Sequence, residues 1–120
     1  MNGINLKNKF SKFKEHWTPK IIAECNDQLI KIAKVKGNFV WHDHVHEDEM
    51  FYVVKGTLFI DLEDKTIELN EGEMTVIPKG IKHRPRTNDE EVWIMLFEPK
   101  STKHTGNVKS DFTNNQQAYI

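Results

Sequence analysis

From Lys20 to Glu98 the chain is divided into short runs rich in Ile, Val, Phe and Thr. The turn signals between them are Asn26-Asp27, Lys36-Gly37, Lys55-Gly56, Glu63-Asp64, Asn70-Glu71-Gly72, Lys79-Gly80 and Asn88-Asp89. Turns recurring about every 8 to 12 residues leave no segment long or periodic enough for a crossover helix, so the pattern is all-β, a sandwich or a barrel. Strands are predicted over 21–24, 29–36, 40–44, 49–54, 57–62, 66–69, 74–77, 82–86 and 92–97. In the last of these Val92, Ile94 and Leu96 alternate with Trp93, Met95 and Phe97. Both sets are apolar, so the sequence does not say which faces inward.

The 120 residues suffice for one domain with a core and are too few for two ordinary ones. The expected organisation is a helical arm over 1–18, a barrel over 20–98 and a tail over 99–120. In the arm, Leu6, Phe10, Phe13 and Trp17 form one stripe of a helix that Pro19 ends, packed on the domain or on a second copy of the chain. The tail is polar with scattered apolar residues. His104 reads there as a solvated bystander, whereas Phe112, Tyr119 and Ile120 leave room for docking.

Seventeen Lys and Arg against eighteen Asp and Glu leave a net charge of -1. Nucleic-acid binding is disfavoured, because neutralising phosphates takes a surplus of positive charge. The one cysteine, Cys25, has no partner within the chain, which fits a reducing cytoplasm and makes a disulfide-stapled secreted domain the poorer reading. No apolar block for export stands at the beginning, and no stretch approaches the roughly 20 apolar residues of a membrane span. The expected location is the cytoplasm, with no membrane partner.

Chemistry concentrates in WHDHVHEDEMFYVVKG, residues 41–56, which places three histidines within five positions. Alternate residues of a strand share a face, so His42 and His44 can aim two imidazoles at one point. Imidazole nitrogen and carboxylate oxygen are the usual donors to first-row divalent metals where positions stay open for substrate. Glu49 has the wrong parity for the same strand, but the stretch between can turn and begin a new one that returns the carboxylate beside the imidazoles. His83, after the PKGIKH turn, is the candidate fourth ligand from a distant segment.

These residues resemble the two signature motifs of the cupin family. The first, G-x5-H-x-H-x3,4-E-x6-G, is matched by His42, His44, Glu49 and Gly56. The second, G-x5-P-x-G-x2-H-x3-N, is matched by Gly72, Pro78, Gly80 and His83. Two edges depart: Gly37 precedes His42 by four intervening residues rather than five, and Thr87 stands where the closing Asn belongs. The phrases FKEHWTPKIIAE, FVWHDH, EMFYVVKG, GEMTVIPKGIKHRP and MLFEPKSTKHTGN are similar to small single-domain bacterial cupins of the mannose-6-phosphate isomerase-like group. The resemblance implies a double-stranded β-helix (jelly-roll barrel), commonly a homodimer. It also implies a divalent metal ion (Zn, Fe, Ni or Mn) held by His42, His44, Glu49 and His83.

In the alternative register, with His44 and His46 as the H-x-H pair, only two residues precede Glu49, one short of the family's minimum. His46 is therefore expected at the pocket mouth or in solvent. Phe51 and Val53 share the face of Glu49 and are expected to line the pocket, whereas Glu47 and Asp48 read as solvated turn residues. Arg84 and Arg86 could clamp an anion, but alternation turns them away from the face of His83. The expected function is a metal-binding cupin that acts on or binds a small oxygen-rich molecule, as an isomerase or dioxygenase. The alternative is a non-catalytic sensor or carrier.

Overall fold

The computed structural model describes residues 1–106, 110 and 117–120. Among the described residues one short helix, α1 (Leu6–Phe10), precedes eight strands: β1 (Lys20–Cys25), β2 (Gln28–Val35), β3 (Glu49–Lys55), β4 (Leu58–Leu62), β5 (Thr66–Leu69), β6 (Met74–Ile77), β7 (His83–Arg86) and β8 (Val92–Pro99). They form two antiparallel sheets, a five-stranded one in the order β1-β2-β8-β3-β6 and a three-stranded one in the order β5-β4-β7. The arrangement is all-β, as the turn rhythm predicts, and fits the jelly-roll that the cupin resemblance implies.

Alternation decides what lies between the sheets. Ala33 and Val35, Phe51 and Val53, Leu58 and Ile60, and Val92, Ile94 and Leu96 project inward and are buried in one core. Trp93 and Met95 project outward, where Phe10, Phe13 and Ile32 form a second apolar cluster with them. That settles the ambiguous parity of β8. Its inner face meets the smaller sheet across the core and its outer face lies under Phe10 and Phe13, so both faces are covered and both must be apolar.

The arm differs from the predicted helix. Asn5 caps α1 by accepting from the Asn8 amide, and the helix stops at Ser11. Five residues are too few to hold a helix on their own. Docking holds this one: the Phe10 ring stacks on Trp93 at 4.6 Å, and Lys34 Nζ donates to the Phe13 carbonyl at 2.8 Å. Trp17 leaves the stripe. At φ 56 it turns into the barrel interior, stacks on Phe39 at 4.6 Å and donates its indole N–H to the Lys36 carbonyl. Placing so large an aromatic between the sheets removes about 150–250 Å² from water, more than two further helical turns on the surface could match.

The strand predicted over 40–44 is not continuous. His42 bridges His83, and the Phe39 amide donates to the Pro85 carbonyl at 2.9 Å, but the ladder breaks between them. Pro85 has no N–H to return the bond, so the segment lies beside β7 as an irregular fourth member of the smaller sheet. At the other end of the chain Ala118 and Ile120 pair with Ile21, and Ile120 packs on the outer cluster. Phe112 lies outside the described residues.

Candidate metal centre

The centre grows from the bridge between two remote segments. His42 and His83 exchange backbone N–H···O bonds of 3.0 and 2.9 Å, which sets their imidazoles side by side with centroids 4.4 Å apart. Each ring is then locked by its own chain. His42 Nδ1 stands 3.0 Å from the Val40 carbonyl, and His83 Nδ1 stands 2.9 Å from the Ile81 carbonyl. A carbonyl only accepts, so Nδ1 carries the proton in both rings and Nε2 presents its lone pair to the interior.

His44 follows two residues on, its ring 5.0 Å from that of His42. The Gly80 amide donates to the His44 carbonyl at 2.8 Å, from a turn whose φ of 81° suits glycine. Asp48 is not simply solvated, since its Oδ1 accepts from the Lys79 amide and ties the two loops together. Glu47 accepts from Ser101 at 2.8 Å. Glu49 opens β3 opposite Ile77, and its carboxylate returns beside the imidazoles.

Four buried side chains thus converge: ligand atoms of His42, His44, Glu49 and His83 all lie within 4.8 Å of one another. Glu49 Oε1 stands 3.4 Å from His44 Nε2 and 3.5 Å from His83 Nε2. Two donors bound to one ion at about 2.1 Å and roughly 90–110° apart would be separated by about 3.0–3.5 Å. Among the described residues, both nitrogens of His44, Nε2 of His83 and Oε1 of Glu49 are buried without a hydrogen-bond partner. Such atoms are costly to bury unless something else satisfies them, and a divalent cation does.

Electrostatics prepares the same set. Burial, helped by the neighbouring His83, lowers the His42 pKa to about 4, so its ring is neutral near pH 7. Burial pushes Glu49 up, but the neighbouring Glu98 carboxyl and the imidazoles of His44 and His83 outweigh it and hold the carboxyl well below its ordinary range. A neutral imidazole and an ionised carboxylate are the forms that ligate metals.

A cupin-domain family model matches residues 29–98, well over half of the chain. The chain belongs to the cupin family. Among solved structures, this cupin resembles a cupin-2 domain containing protein from Shewanella frigidimarina, with 52% identity and a TM-score of 0.79, covering 81% of this chain and 94% of that one. It is also 42% identical over 67 residues to the uncharacterized protein YdbB of Bacillus subtilis, covering 55% of this chain and 59% of that protein. An acireductone dioxygenase of Puccinia graminis is 32% identical over 109 residues, covering 80% of this chain and 60% of its own length. The chain therefore spans about three-fifths of the length of these two relatives.

Other expected residues divide. Phe51 lines the cavity beside the cluster, its ring edge-on to His83 at 6.1 Å. Val53, two residues further on, is fully buried in the core but does not line this cavity. His46 is exposed and stands outside the four-residue cluster. Arg84 and Arg86 both donate to Asp61, at 2.8 Å each. Burial pushes Asp61 up, and the bonds from Arg86, Thr66 and Arg84 overcome it to bring the pKa down to about 2.

Two features of the cupin interior were not anticipated. Glu98 is buried next to Glu49, and Lys31, 2% exposed, reaches it with Nζ 2.6 Å from Oε1. Burial and the charge of Glu49 raise the Glu98 pKa well above the ordinary range, with Lys31 opposing. A Glu98 that keeps its proton can donate to Glu49, which two facing carboxylates could not otherwise arrange. Half of the signal was in the sequence: Lys31 and Glu98 have the parity of Ala33 and Leu96, and once the structure turns that face inward, alternation carries both charges inside. His104 is not a solvated bystander. Its ring lies 5.1 Å from that of Phe39, and it lines the same cavity as His42, Glu49 and Trp17.

Proposed function

We propose that this cupin binds a divalent metal ion through His42, His44, Glu49 and His83 and acts there on a small oxygen-rich molecule, with dioxygenase chemistry the leading activity. The observation that carries the reading is the convergence of four buried donors whose inward-facing atoms include several without hydrogen-bond partners. Such an ion supplies Lewis acidity toward a carbonyl or hydroxyl oxygen and, when redox-active, a route to oxygenation. Similarity to acireductone dioxygenase over 80% of the chain favours oxygenation over sugar isomerisation.

The chain's own residues set the terms. Three neutral imidazoles and one carboxylate leave a formal charge of about +1 on a bound divalent ion, which attracts an anionic or enolisable oxygen ligand. Trp17, Phe39, Phe51, Ile94 and Leu96 wall the adjoining cavity, excluding water and strengthening every charge interaction inside. Glu98, itself held by Lys31, stands behind Glu49 and can donate to it when protonated, which orients the carboxylate.

The test begins with elemental analysis of the purified chain, followed by oxygen uptake by the iron-loaded form across a panel of small keto and enediol compounds. Oxygen consumed together with one of them supports the activity. Tight binding without turnover would replace it with a carrier or sensor, and failure to retain any divalent ion would overturn the metal reading. Pairing of two copies also belongs to the proposal, although α1 itself docks on its own barrel; static light scattering tests it.

A further inference from the structure

The cavity beside the four donors encloses only about 30 Å³. That is space for two or three waters, at about 10–15 Å³ each, whereas pockets for organic ligands run to about 300–1,000 Å³. A second cavity of about 330 Å³ adjoins it, and His104 lines both. The second cavity lies between the inward side of β1 and β2 and the segment that follows β8. A substrate larger than its reacting group can extend past His104 into this space, the larger of the two cavities next to the cluster; the other, of about 220 Å³, is lined by His44 and His46.

The chemistry changes at that wall. The first cavity is mostly apolar, while the second meets Lys31, Lys100 and Lys103, and no Asp or Glu lines it among the described residues. Lys31 is a buried cation that uses one bond on Glu98 and has further ammonium hydrogens to donate. Lys100 pairs with Glu24 at 2.5 Å and is largely satisfied. Lys103 is exposed at the rim. Thr102 Oγ1 is buried with no hydrogen-bond partner among the described residues, a hydroxyl in want of an acceptor.

We propose that this second cavity is the subsite for an anionic tail, a carboxylate or a phosphate, on the molecule whose oxygen-bearing end reaches the His42, His44, Glu49 and His83 cluster. Lys31 supplies the fixed positive charge, Lys103 closes over the anion from the rim, and Thr102 donates its hydroxyl. His104 forms the shared wall and sets how far the reacting end stands from the tail. The position of the reacting end rests on the function proposed above; the anion site does not.

The full chain, as purified and again after chelation, is titrated with inorganic phosphate and with succinate at low ionic strength by calorimetry. Saturable binding of at least one anion is expected with and without metal. Lys103→Ala and Thr102→Val should each weaken it about tenfold, as befits loss of a charge-assisted or buried bond, while Lys12→Ala on the arm leaves it unchanged. Phosphate alone binding points to a phosphate ester, and succinate binding points to a carboxylate. Absence of saturable binding, or equal affinity in Lys103→Ala, Thr102→Val and the parent chain, would overturn the subsite. A failure of the metal reading would show separately, as metal retention indifferent to His42→Ala.

Discussion

At the scale of single residues the centre is specified by lone pairs. His42 and His83 lock Nδ1 on a carbonyl two residues back, so each ring offers Nε2 without searching for an orientation. Replacing His42 or His44 with Ala should reduce metal affinity by about 100-fold or more, against less than about threefold for His46→Ala, read by competition with a chelating dye. Equal losses at all three would move the pair to His44 and His46. Protonation gives a second prediction. His42 has a folded pKa of about 4 against an ordinary 6.5, so between those values the unfolded chain binds the extra proton and stability falls as pH falls. The loss approaches about 3 kcal/mol by pH 4, the 2.5-unit difference at about 1.4 kcal/mol per unit. Urea titrations of the chelated chain should show it, with a shallower slope in His42→Gln. Glu49, held low, adds a loss that begins only below its ordinary range. Lys31 and Glu98 share the parity of Ala33 and Leu96, which carries them inside only once the inward face of β8 is known. A single charge in an apolar strand reads as an exposed edge until the neighbouring strands are known, which is why they were missed.

At the scale of elements, the turn after β8 connects the tail to the centre. Gly106, at φ 59°, packs so closely on Asp43 that a Cβ there would collide with the Asp43 carbonyl. Gly106→Ala should therefore lift this turn from the His42-Asp43-His44 segment, raising hydrogen exchange over 100–106 while the four donors retain metal. Unchanged exchange there would show that the contact does not hold the turn. The predicted strands match the observed ones within a few residues because alternation and turn chemistry are local. The arm and the 40–44 segment departed for non-local reasons: Trp17 finds a better site between the sheets, and Pro85 on the facing strand interrupts the ladder. His104 belongs with these. Its neighbours in sequence are polar, and only the path of the chain after Pro99 brings it against Phe39.

At the scale of the whole molecule, the barrel brings donors from two remote segments to one point, so metal and fold should stabilise each other. At a metal concentration about 100 times Kd the folded state gains about 2.7 kcal/mol, and Tm should rise by about 10 °C and fall again with chelator. A Tm indifferent to both would leave the cluster without its cation. No helix among the described residues is long and apolar enough to cross a membrane. What the sequence by itself determined is whatever depends on period and spacing: strands of alternating residues, glycine and proline turns, and four ligating residues at distances along the chain that suit a cupin. Tertiary structure alone decided which apolar face of β8 turns inward, that a lysine and a second glutamate stand behind Glu49, and that His104 walls the cavity. Each of these depends on surfaces contributed by residues far away in the chain, and burial is a property of those surroundings that no local pattern encodes.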